Sequence, residues 1–244
     1  MNTFYKKHPI VFSVILIVAY VVITSLLDNL SATIGIENVL TTPFLFAFGA
    51  FLLVFILKCG YKGKFGLTRG HINFAGCLFF LPLAVIVSVN FWSGINLNFN
   101  ILPTILTIVS MLLVGFIEEI IFRGFLFKAM AKDGIVSAFI VSSLTFAIGH
   151  IVNLFNGAEL LPTLLQIAYA GAGGFLFTTI FYKTDSLLPC IITHSLLNAT
   201  SVFMVDGGIT TLIFTSIALI IVSLLYALWF FYKYKETDFQ LDGE

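Results

Sequence analysis

Charged side chains are scarce in this chain. Asp, Glu, Lys and Arg make up 10% of its 244 residues, whereas 59% are apolar, and the mean hydropathy is +1.09. About a quarter of the residues of a typical soluble domain are charged. The composition therefore excludes a soluble globular domain, and we expect the lipid bilayer, not nucleic acid, as the partner of this surface.

Closely spaced cysteines are also absent. The three cysteines, Cys59, Cys77 and Cys190, are far apart and form no C-x-x-C pair. Disulfide frameworks and zinc knuckles depend on such closely spaced sets. We therefore expect these cysteines to be buried apolar residues or free thiols.

Long apolar runs make up most of the chain. Eight of them approach the roughly 20 residues that a transmembrane helix needs, with polar or glycine-containing segments between them. The runs are 9–27, 40–58, 74–92, 101–127, 134–154, 161–182, 186–204 and 209–232. The first run lacks a small-x-small cleavage site before Asp28, so we interpret it as a retained span and not as a signal peptide. The sequence predicts an all-α membrane protein with one transmembrane domain, residues 1–244.

The basic residues predict how the helices are oriented. Every Lys and Arg except Arg123 falls at a chain end or in an even-numbered connection. The opposite connections and helix ends carry acidic residues instead: Asp28, Glu37, Glu159 and Asp206. Short loops rich in Lys and Arg stay in the cytoplasm. The pattern therefore predicts eight spans with both termini in the cytoplasm, and we expect the membrane to be the bacterial plasma membrane.

A few polar residues interrupt the apolar runs. Glu118, Glu119 and Arg123 lie in the fourth run. Three other runs contribute polar residues: His150, Asn153, Gln166, His194 and Asn198. An ionisable side chain at bilayer depth costs roughly 2.5–3.5 kcal/mol on insertion scales. Such residues therefore indicate a functional site.

Their spacing indicates how they share helix faces. Glu119 and Arg123 are four residues apart and can form an ion pair along one face, whereas Glu118 lies about 100° further round the helix. His194 and Asn198 also share a face, and so do Phe146 and His150. Each feature has a purely structural interpretation: an ion pair, hydrogen bonds between helices, or core packing for Phe146. Their combination fits hydrolysis, which needs a base, an oriented water and oxyanion donors.

Three motifs in this pattern resemble a known family. They are Glu118-Glu119-Ile-Ile-Phe-Arg123, Phe146-Ala-Ile-Gly-His150 and His194-Ser-Leu-Leu-Asn198. In this order they are similar to the EExxxR, FxxxH and HxxxN/B motifs of the CPBP intramembrane proteases, named for CAAX proteases and bacteriocin-processing enzymes and also called the Abi family. The resemblance covers residues 101–205, which we predict to be the catalytic core.

The resemblance implies a glutamate-dependent intramembrane endopeptidase. It implies that Glu118 is the general base, that His150 helps to hold the water, and that His194 and Asn198 form the oxyanion site. Glu119 and Arg123 would then fix the geometry around Glu118, with Phe146 and Asn153 in supporting positions.

A metal is a second interpretation of the same residues. Glu118, His150 and His194 would supply three zinc ligands and leave one position open. The HExxH spacing of zinc proteases is absent, and the resemblance favours chemistry without a metal or another cofactor.

Two classes of function follow. The first is proteolysis of a membrane-associated or lipid-modified peptide near the cytoplasmic leaflet. The second is a non-catalytic membrane protein for bacteriocin immunity or partner binding, or a small transporter that uses the glutamate pair as a proton site. Transporters commonly contain inverted repeats, and none is evident in this sequence.

Overall fold

The structure is a computed structural model that describes residues 1–72 and 79–234. These residues form helices and no β-strand, apart from an isolated bridge between Ile95 and Met204. The predicted all-α class is therefore confirmed. The start of the predicted third span, residues 74–78, and Cys77 within it lie outside the described residues, whereas Cys59 and Cys190 are free thiols.

Ten helices follow one another in the described part of the chain, and α5 changes its winding midway. Within α5, Ile120–Phe127 is π-helical, and short 3₁₀ turns extend α4 and α9. The helices are α1 Asn2–Lys7, α2 Pro9–Ile34, α3 Thr41–Lys58, α4 Leu81–Ser88, α5 Ile101–Ala131, α6 Ile135–Gly149, α7 Val152–Phe155, α8 Leu160–Thr184, α9 Leu188–Thr200 and α10 Gly208–Lys233.

Six segments in the described residues are long and apolar enough to cross a membrane. They are α2, α3, α5, α6 together with α7, α8 and α10. The predicted third and seventh spans correspond to the shorter apolar helices Leu81–Phe91 and Leu188–Phe203. Because α9 has 13 residues, it rises about 20 Å, less than the roughly 30 Å of a hydrocarbon core. The count of eight spans and the cytoplasmic termini thus stay predictions.

Local sequence signals explain where several helices begin and end. Pro9, Pro82 and Pro189 occupy the first turns of α2, α4 and α9, where the missing N–H costs no hydrogen bond. Helix α2 ends at Gly35, whose φ is 82°. Such a left-handed residue satisfies the last carbonyls of a helix, and glycine adopts it without a steric penalty.

A close helix contact in the core joins α5 to α9. The Ser195 hydroxyl donates to the Leu112 carbonyl at 2.9 Å, and a Cβ atom on Gly115 would lie 2.5 Å from the Ser195 backbone nitrogen. No side chain larger than hydrogen fits between these two backbones. Gly115 therefore lets α9 approach α5, which positions His194 beside the glutamate pair.

We expect Gly115→Ala to lower the free energy of unfolding by about 1–3 kcal/mol, because the added methyl group overpacks this contact. Thermal unfolding in detergent micelles measures the change. Gly173→Ala is the matched control, since a Cβ there meets no atom within 4 Å and alanine favours helix by about 1 kcal/mol. Equal stability of the two variants would contradict the close contact.

Candidate active site

A cavity of about 390 Å³ lies among the helices. Its walls come from α2 and from the helices α4 to α10, and they include all four residues that the sequence predicts to be catalytic. These are Glu118, His150, His194 and Asn198. The fold therefore brings together groups that are up to 80 residues apart in the chain.

The second glutamate of the motif is fully buried behind the cavity wall. Arg123 Nη1 donates to Glu119 Oε1 at 3.0 Å, and neither side chain is exposed. The guanidinium carbon also lies 4.3 Å from the ring centre of Phe146, a cation–π contact. Glu119 and Arg123 thus form the ion pair that their spacing predicts, and the predicted supporting residue Phe146 packs against it.

Small residues make room for this ion pair. Gly174 in α8 faces the guanidinium, and a Cβ there would lie 3.1 Å from Arg123 Nη2. The Ser142 hydroxyl in α6 donates to the Phe122 carbonyl at 2.9 Å, which joins α6 to the π-helical part of α5. Short π-helical segments are rare and are frequent at functional sites.

His194 lies between the two glutamates. Its Nδ1 is 2.8 Å from Glu119 Oε1, and its Nε2 is 3.5 Å from Glu118 Oε2. Because an ionised carboxylate only accepts hydrogen bonds, the short contact assigns the Nδ1 proton to the Glu119 side. The ring therefore presents Nε2 to Glu118 and the cavity.

The other predicted residues line the cavity in different ways. The His150 Nδ1 lies 3.0 Å from the Phe146 carbonyl, so that Nε2 of the neutral ring is an acceptor. The Asn198 amide makes no hydrogen bond to any other described residue and is half-buried. Asn153 instead donates to Gln166 Oε1 at 2.7 Å, which joins α7 to α8 at the cavity wall.

Tyr20 of α2 is a site residue that the motifs do not indicate. Its hydroxyl donates to Glu118 Oε1 at 2.9 Å, and the side chain is buried in the cavity wall. Nothing in its spacing distinguishes Tyr20 from the other seven tyrosines, since its partner is 98 positions away. The single phenol in an apolar helix is the one signal that the sequence contains.

The zinc interpretation needs Glu118, His150 and His194 to converge on one ion. In residues 1–72 and 79–234, no group of three His, Cys, Asp or Glu side chains is arranged to hold a metal ion. His194 directs Nδ1 at Glu119 and His150 directs Nδ1 at a carbonyl. These contacts leave Nε2 of each ring as the nitrogen that can bind another group.

We expect Arg123→Met to lower the free energy of unfolding by about 3–5 kcal/mol, because it leaves Glu119 buried without its cation. The Glu119→Gln/Arg123→Met double variant should lose about 0.5–3 kcal/mol less than the sum of the single variants. Denaturant unfolding in detergent measures all three. Lys62→Met, at an exposed position, is the control, and additive losses would contradict the ion pair.

A comparison with known proteins finds a match in the middle part of the chain. Residues 99–200 match the family model described as Rce1-like, Type II CAAX prenyl endopeptidase Rce1-like. The matched segment contains all three motifs, and the match supports the CAAX protease family assignment made from them. No curated protein and no solved structure matches the chain.

Proposed function

We propose that this protein, whose residues 99–200 belong to the CAAX protease family, cleaves a membrane-associated or lipid-modified peptide with a water activated by Glu118. The family match supports a CAAX-type intramembrane protease in general. The observation that carries the mechanism is that Glu118, His150, His194 and Asn198 line one cavity.

Glu118 is the base in this mechanism because it is the accessible glutamate. Its side chain is 14% exposed, whereas Glu119 is fully buried and engaged by Arg123 and His194. Tyr20 holds Oε1 of Glu118, which leaves Oε2 to take a proton from water. A base must lie within hydrogen-bond reach of the proton that it abstracts.

His150 orients the attacking water. Its Nδ1 is occupied by the Phe146 carbonyl, so Nε2 accepts one hydrogen of a water whose other hydrogen points to Glu118. Two acceptors on one water leave an oxygen lone pair directed at the substrate carbonyl. Holding the reacting atoms in this geometry lowers the entropic part of the barrier.

His194 and Asn198 stabilise the oxyanion. With Nδ1–H directed at Glu119, His194 donates through Nε2 in its imidazolium form. The Asn198 amide, one turn along α9, supplies a second donor. A single oxyanion donor is worth about 2.7–4 kcal/mol.

The proposed reaction conserves protons among these groups. Water oxygen attacks the scissile carbonyl carbon while Glu118 takes the water proton, and the carbonyl oxygen becomes the oxyanion. Collapse of this intermediate breaks the C–N bond, and Glu118 returns the proton to the leaving amine. The products are a carboxylic acid and an amine, and the protein regains its starting charge.

The family description names a prenyl endopeptidase, and we propose a lipid-modified peptide as the substrate class. An eight-span arrangement with cytoplasmic termini, as the Lys and Arg distribution predicts, would place the cavity within the bilayer. A farnesylated peptide ending in a CAAX sequence is therefore the first probe.

We expect Glu118→Gln to lower kcat at least about 100-fold, since general base catalysis typically contributes 10²–10⁴-fold. Glutamine keeps the acceptor for Tyr20 and so preserves the fold. The assay is cleavage of the quenched farnesylated probe by protein in liposomes, with Glu159→Gln, at an exposed position before α8, as the control carboxylate. Wild-type cleavage by Glu118→Gln would refute the mechanism.

We expect Tyr20→Phe to lower kcat about 10-fold with little change in KM, because Glu118 loses the bond that holds Oε1 but the cavity keeps its shape. Tyr169→Phe is the matched control. Tyr169 lines the same cavity, and its hydroxyl makes no hydrogen bond to another residue in the described part of the chain. Equal losses in the two variants would show that Tyr20 acts through cavity shape alone. The tenfold figure corresponds to about 1.4 kcal/mol of lost transition-state stabilisation.

A further inference from the structure

The cavity extends from Glu118 towards one end of the helix bundle. On α2 its lining continues from Tyr20 through Thr24 to Asp28, near the end of that helix. On the α6–α7 segment it continues from Phe146 to Asn156. On both segments the cavity lining therefore runs towards the same end of the bundle.

The cavity lining on α8 and α9 runs towards the same end of the bundle. On α9 the lining passes from His194 and Asn198 to Ser201, which is exposed. On α8 it includes Gln166 and Gly173, in the first two thirds of the helix. Asn156 is also exposed and is bonded to Ser25, at 2.5 Å. We call the end formed by connections 35–40, 92–100, 156–159 and 204–207 the open face.

The opposite end is closed by packing. Residues 120–129 of α5 are all buried. Lys128 Nζ bonds Asp185 Oδ1 at 3.0 Å, and the rings of Phe65 and Phe125 are 4.4 Å apart. The segment before residue 73 adds backbone bonds, such as Leu187 N to the Gly66 carbonyl at 2.8 Å. We call this end, with connections 59–72, 132–134 and 185–187, the closed face.

Charge distinguishes the two faces. The connections of the open face carry Glu37, Glu159 and Asp206 and no lysine or arginine, whereas those of the closed face carry all the basic residues of the two sets, Lys62, Lys64, Arg69 and Lys132, beside Asp133 and Asp185. Short loops rich in Lys and Arg remain in the cytoplasm. The open face is therefore the extracytoplasmic one.

We infer that water and the peptide substrate reach Glu118 from the extracytoplasmic face. This inference rests on the proposed function for the identity of the substrate, and on the cavity and the charges for its direction. It differs from the cleavage near the cytoplasmic leaflet that we expected from the sequence. The occupant is an extended peptide segment, because side-chain amides such as Asn198 and Gln166 both donate to and accept from a peptide backbone.

Labelling of single cysteines tests the direction of access. The three native cysteines are replaced by alanine, and Asn156→Cys, Gly173→Cys or Lys62→Cys is added. Gly173 lines the cavity and has room for a Cβ, whereas Lys62 is exposed on the closed face. The probe is a negatively charged methanethiosulfonate reagent that does not cross membranes, applied to intact cells and then to permeabilised cells.

We expect Asn156→Cys and Gly173→Cys to be labelled fully in intact cells, and Lys62→Cys to show background labelling until the cells are permeabilised. Labelling of Gly173→Cys that requires permeabilisation would overturn the inference, and so would labelling of Lys62→Cys in intact cells. A Gly173→Cys protein that stays unlabelled in both conditions would show that water does not reach the cavity, which also overturns it.

The experiment is independent of catalysis. If the protein is labelled as expected but does not cleave the farnesylated probe, the extracytoplasmic route stands and the proposed function is refuted. If the protein cleaves the probe but its cavity is labelled only from the cytoplasm, the proposed function stands and the extracytoplasmic route is refuted.

Discussion

The buried contact of Glu119 with Arg123 and His194 is the constraint on which the rest of the site depends. Removing a carboxylate and a guanidinium from water costs several kcal/mol per ion, and good geometry with further hydrogen bonds must offset it. Glu119 Oε1 accepts from Arg123 at 3.0 Å and contacts His194 Nδ1 at 2.8 Å. One oxygen thereby joins α5 to α9 in the interior.

This contact gives two adjacent glutamates different environments. Glu119 is enclosed by a cation, an imidazole and the Phe146 ring. Glu118, one residue earlier, faces the cavity and is held by Tyr20 from another helix. Pairs of similar groups with different surroundings commonly divide acid–base and supporting roles. Glu119 is the fully buried member of the pair, and Glu118 is the member that reaches the cavity.

The two halves of the bundle along its axis accommodate their polar side chains in different ways. Polar groups in an apolar interior are stable where they pair or meet water. In the closed half, the polar side chains pair, as Lys128 does with Asp185, and aromatic rings fill the remaining space. In the open half, amides and hydroxyls line a cavity instead. The groups that we propose to be catalytic lie where the packed half meets the cavity.

The sequence by itself determined the helical class, most of the span positions and the Glu119–Arg123 pair, because these follow from apolar run length and from i, i+4 spacing. It also indicated the family through residues within one segment of the chain. Tertiary structure decided the rest. The bond from Tyr20 to Glu118, the place of His194 between two carboxylates and the end at which the cavity opens depend on helices distant in sequence. Local periodicity carries no information on which faces of such helices meet, since that is settled by close packing such as the Gly115–Ser195 contact.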